Sequence, residues 1–140
     1  MLKKLLFSKN IDCGLLLVRV AIGSLMLFSH GLGKLSGFSE MFHSFPDPLG
    51  ISPEASYSLT VFAEFFCSLF LILGLFTRVA AITLVINMAV IIFIMQLHEP
   101  WSKKEFAVLF LIPYLTILLT GAGKYSLDYL LFEKNSLNKK

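Results

Sequence analysis

The stretch LFSHGLGKLSGF, residues 27–38, sets His30 and Lys34 four residues apart at the close of an apolar run that begins near Leu15. That spacing places both side chains on one helical face, where an imidazole can pass a proton and an ammonium can hold a carbonyl or anionic oxygen. Four further polar groups stand within or beside apolar runs: Arg19, Glu64, Asn87 and Glu105. At about 100° per residue, Arg19, Gly23, His30 and Lys34 share about 80° of arc, so one helix carries a polar stripe.

The elements that must position these groups are apolar helices. Four apolar segments, 15–32, 59–76, 79–97 and 106–122, predict spans of about 13–33, 55–76, 78–97 and 105–122. Each approaches the roughly 20 residues that cross a hydrocarbon core. Two-residue alternation is absent, which argues against a membrane barrel, and only helices satisfy their own backbone in lipid. The expected fold class is all-α: a single-domain integral membrane four-helix transmembrane bundle, with a short interfacial helix in the loop between helices 1 and 2. Phe38, Met41, Phe42 and Phe45, at i, i+3, i+4 and i+7, form the apolar face of that short helix, either as a packing segment or as a lid.

Boundaries are also marked. Ser52 before Pro53 and Glu54 reads as an N-cap, and the Thr77–Arg78 junction leaves almost no loop, so helices 2 and 3 form an antiparallel hairpin. Gly121 and Gly123 end the last span, and Ser126 can cap a tail helix, LDYLLF. Pro113 should kink helix 4, and Tyr114 brings a hydroxyl to membrane depth, both read first as packing.

Composition narrows the function classes. The chain is 56% hydrophobic and 15% charged, with a net charge of +3. Its lysines cluster at the termini rather than in a phosphate-tracking stripe, so no nucleic-acid partner is expected. Cys13 and Cys67 have neither CxxC spacing nor a Cys/His cluster and read as apolar packing residues. The first helix, with Arg19 inside it and no small-residue cleavage site, reads as retained rather than as a signal peptide. Lys3, Lys4, Lys9, Arg78, Lys124, Lys134, Lys139 and Lys140 would face the cytoplasm with both termini.

A charge inside a membrane costs about 2.5 to 3.5 kcal/mol on insertion scales, so these groups should find partners within the bundle. Arg19 is expected to pair with Glu64 and Asn87, and Glu105 with His30 or Lys34 at the outer mouth. The pairs could serve only to neutralise one another, or they could build a chamber or proton path. No metal site is expected; a haem held by His30 and His98 is the weak alternative.

The series R-V-A-I-G from Arg19, S-H-G-L-G-K-L from Ser29, A-E-F from Ala63, L-I-L-G-L-F-T-R to Arg78, Glu105, and G-A-G-K-Y-S-L-D from Gly121 resembles the DoxX family of small bacterial membrane proteins. The likeness covers about residues 14–130, with Ala122 where the family often has proline. It implies a multi-pass protein of the bacterial inner membrane, for some relatives the small quinone-facing subunit of a thiosulfate:quinone oxidoreductase and for others a part of membrane complexes that handle thiol or oxidative stress. The family-like positions Arg19, His30, Lys34, Glu64, Arg78 and Glu105 largely coincide with the polar residues above.

The leading expectation is a membrane subunit with a quinone pocket, in which His30, Lys34 and Glu105 bond a carbonyl or move its proton. It carries no cofactor of its own and relies on a redox partner protein for electrons. The alternatives are a scaffold or lipid-binding bundle, or a proton-coupled transporter working as a homo-oligomer.

Overall fold

The computed structural model describes residues 11–133; Lys3, Lys4, Lys9, Lys134, Lys139 and Lys140, expected at the cytoplasmic face, lie outside them. The described residues are all-helical, with no strand: α1 (Ile11–Ser36), α2 (Phe38–Met41), α3 (Pro53–Leu73), α4 (Thr77–Met95), α5 (Trp101–Thr120) and a closing wide turn at Tyr129–Glu133. α1, α3 and α4 are long and apolar enough to cross a membrane. α5 is 20 residues long, but its first two turns carry Lys103, Lys104 and Glu105.

Apolar residues lie on both sides of the helices. Leu17, Phe28, Val79 and Leu119 are 64% or more exposed, while Leu71, Ala81, Leu84 and Tyr114 are fully buried. An exterior this apolar needs lipid rather than water around it. The core lies between α4 and α5, with Met26, Cys67 and Leu71 closing it from α1 and α3.

α1 and α3 meet through glycines. A methyl group at Gly31 would lie 2.4 Å from the Glu64 carbonyl oxygen, and one at Gly23 would lie 2.7 Å from Ile72. Small residues permit this approach, which dispersion then stabilises in the absence of a hydrophobic drive between helices. Around that contact both helices widen to i→i+5 turns, at Leu27–Gly31 and Phe62–Cys67, and α4 widens at Ile91–Met95. Such turns shift the register of the side chains beyond them and are frequent at functional sites.

The end of the bundle that carries the chain's first and last described residues is tied by backbone bonds. The α3–α4 junction needs positive φ at Gly74 (70°) and Phe76 (47°). A bulky residue in that region is strained. Asp128 holds it there, accepting from the N–H groups of Phe76 at 2.7 Å and Thr77 at 2.8 Å while donating its own N–H to Gly74 O. Ser126 accepts from Tyr129 N at 3.2 Å, the expected tail cap.

At the opposite end, Phe38 and Phe45 lie 5.3 and 4.9 Å from the Tyr57 ring, and Phe42 lies 4.8 Å from Phe38. Met41, expected on the same face, is exposed, because α2 ends there and the chain turns. Ser52 caps α3 as expected, accepting from Ala55 N at 3.2 Å ahead of Pro53. Its φ of 124° is supported by Asp47, whose carboxylate accepts from Ile51 N, Ser52 N and the Ser56 hydroxyl.

Candidate functional site

The close approach at Gly31 sets the position of Lys34 one turn later. Its ammonium donates to Glu64 Oε2 in a short ion pair between α1 and α3. The Glu64 side chain is 4% exposed and that of Lys34 is 23%. Asn87 on α4 donates from Nδ2 to the other oxygen, Glu64 Oε1, at 3.2 Å. The Tyr57 hydroxyl donates to Lys34 O at 2.7 Å and fixes the end of α1 against α3. Three helices thus converge on one carboxylate, with both of its oxygens engaged.

Two cavities meet at this cluster. The larger, about 680 Å³, is a groove between α3 and α4 with Leu59, Phe62 and Ile86 on its walls and Lys34, Glu64 and Asn87 lining it; Phe45, Pro48 and Leu49 roof it from the loop. Those three wall residues are also exposed on the outside of the bundle, so the groove opens sideways. The smaller, about 190 Å³, lies between α1, α4 and α5 and is lined by His30, Met26, Met88, Phe106 and Phe110. Lys34, Glu64, Gln96 and Lys103 line both. Gln96 Oε1 is buried there without a hydrogen-bond donor.

The expected pairings are corrected in two places. Arg19 does not reach Glu64. It is 1% exposed at the far end of the bundle, donating to Ala122 O and, at 2.7 Å, to Tyr125 O, with its guanidinium against Gly74. The chain after α5 folds back over α1 and presents carbonyls closer to Arg19 than any carboxylate. Glu105 does not meet His30 or Lys34 either. It is exposed on α5, with no ion pair or hydrogen bond among the described residues. Helical rotation decides this, since Ala107 and Phe110 are the residues of that helix turned inward.

His30 is half-buried, with its ring edge-on to Phe110 at 6.0 Å. His98 is exposed, and among the described residues no group of three His, Cys, Asp or Glu could hold a metal ion. Of the six singled-out residues the fold therefore brings Lys34, Glu64 and Asn87 together, sets His30 on the adjoining cavity, and leaves Arg19 and Glu105 apart.

Gln96, Tyr57 and Asp128 were not singled out. Tyr57 and Gln96 sit near span ends, where an aromatic or amide is ordinary. Asp128 closes the motif G-A-G-K-Y-S-L-D, so its presence in a patterned stretch was the available signal. Outside the apolar helices, the hydrogen bond from Ser56 and the N–H groups of residues 50–52 hold the Asp47 carboxyl below its ordinary pKa.

The DoxX family model matches residues 14–97 of this chain. No curated protein and no solved structure matches it.

Proposed function

The chain belongs to the DoxX family, and on that premise we propose that it is a four-span subunit of a quinone- or thiol-linked redox system in the bacterial inner membrane, with both termini cytoplasmic. The observation that carries this reading is the Lys34–Glu64–Asn87 cluster, which lines an apolar groove open between α3 and α4. A ligand dissolved in the bilayer can enter such a groove sideways, burying its apolar part against Leu59, Phe62 and Ile86.

The donors suit a carbonyl. The Lys34 ammonium has three N–H bonds and spends one on Glu64, leaving others for a quinone oxygen, and the Asn87 amide keeps a second N–H. Converting a quinone to its quinol takes two electrons and two protons. Electrons would come from a partner protein, while the Lys34–Glu64 pair would hold and pass the protons, replenished from the cavity that His30 lines.

The fourth crossing is supported by the ties between the start of α1, the α3–α4 junction and the segment after α5. Lys124 N donates to Asp12 at the start of α1, and Asp128 binds the α3–α4 junction. α5 therefore returns along α4, and 20 residues at about 1.5 Å each give about 30 Å. α2, with its aromatic contacts to Tyr57, would lie at the outer interface.

The test is native mass spectrometry of protein released gently from its own membrane, with lipid extraction of the same sample, comparing wild type with Glu64→Gln. A quinone bound to wild type and lost in the variant is expected. Ordinary phospholipid alone in both would overturn the reading in favour of a scaffold.

A further inference from the structure

A third cavity, about 760 Å³, lies at the opposite end of the bundle, between the α3–α4 junction and the segment after α5. Four charged side chains line it: Asp12, Arg78, Lys124 and Asp128. Both carboxylates are occupied. Asp128 accepts from two backbone N–H groups and feels the buried Arg19 charge, while Asp12 accepts from Lys124 N and has the Lys124 ammonium 3.9 Å away. Arg78 is left over: it is exposed, has no ion pair or hydrogen bond among the described residues, and lies beside the Gly121 backbone.

The surroundings point to what Arg78 would meet. The cavity sits where α4 begins, at one end of an apolar span, and its rim carries Phe76 and Phe132, 54% and 59% exposed with ring centroids 6.1 Å apart. The Thr77 hydroxyl on its wall is buried without a hydrogen-bond partner among the described residues. One uncompensated guanidinium beside an aromatic rim, at the depth where a span leaves the hydrocarbon, matches a group with one negative charge joined to acyl chains.

We propose that this cavity binds the phosphodiester of a membrane phospholipid, with Arg78 forking its two free oxygens and Phe76 and Phe132 lying along the first carbons of the chains. The site is separate from the groove at Glu64, and its occupancy does not depend on the redox reading.

The test reconstitutes full-length wild type, Arg78→Gln and Arg78→Lys into bilayers of phosphatidylglycerol and counts lipids retained by native mass spectrometry. Wild type is expected to retain one lipid that Arg78→Gln holds about tenfold less well, the size of one charge-assisted hydrogen-bonded pair, with Arg78→Lys between them. Equal retention by wild type and Arg78→Gln would overturn the proposal. Adding millimolar inorganic phosphate should leave the lipid in place; its displacement would also overturn the proposal, assigning the site to free phosphate. Because the Arg78 side chain is exposed and has no ion pair or hydrogen bond among the described residues, the variants should melt as wild type does, and unchanged melting makes any lost retention a property of the site.

Discussion

Removing one member of the Lys34–Glu64 pair leaves the other charged, mostly buried and without its counter-ion. Breaking such a pair costs about 3–5 kcal/mol, whereas replacing both members with apolar groups of similar volume is often neutral. Lys34→Met should therefore lower the melting temperature in detergent sharply, and Lys34→Met combined with Glu64→Leu should recover most of the loss. A double variant as unstable as the single one would show that the pair does more than neutralise itself. Arg19 carries a different burden: its cation is spread over backbone carbonyls of the returning chain, so it holds the segment after α5 rather than the groove. The two intramembrane cations thus do separate jobs at opposite ends of one helix.

Among the elements, the α3–α4 junction is strained and tied by a side chain from beyond α5. Phe76 sits at φ 47°, and the Asp128 carboxylate accepts from both the Phe76 and the Thr77 amides. Asp128→Ala should cost about 1–2 kcal/mol, as loss of a helix cap does, and hydrogen exchange should quicken first at the Phe76 and Thr77 amides. The loop that roofs the groove depends on Asp47 in the same way. The pKa of its carboxyl lies below its ordinary value in the folded protein, chiefly because of the Ser56 hydroxyl. A depressed folded pKa contributes stability that is present above the unfolded value and is lost as pH falls through the folded one. Protection of the Ile51 and Ser52 amides should accordingly hold at neutral pH and fall only in acid, below the ordinary aspartate pKa. In Asp47→Asn it should be low at every pH.

At the scale of the molecule, the tie between Asp12 and Lys124 supports a fourth crossing, and the accessibility of two sites tests it. With four crossings, residue 49 in the roofing loop and residue 124 after α5 face opposite compartments; with three they share one. In a Cys13→Ser background, which removes the exposed native thiol, Leu49→Cys should react with a membrane-impermeant maleimide added outside whole cells. Lys124→Cys should react only after the membrane is opened. Labelling of both from outside would remove the fourth crossing and the cytoplasmic placement of the C-terminus together.

Hydropathy and caps were legible in the chain because they are local: long apolar runs can only be helices in lipid, and Ser52–Pro53 starts a helix wherever it folds; the tight turn between the second and third spans was legible too, although the structure sets it at Gly74–Phe76 rather than at Thr77–Arg78. The family motif was legible for a similar reason, since its residues hold fixed intervals. Partner choice was not. Arg19 was the expected partner of Glu64, and Glu105 that of His30 or Lys34. The glycine contact at Gly31 and the wide turns beside it, which shift register by a residue, delivered Lys34 instead. Glu105 was lost to helical rotation and Arg19 to carbonyls from more than a hundred residues away in the chain. Such pairings depend on sub-turn rotations and on the return of distant segments, which only the packed tertiary structure decides.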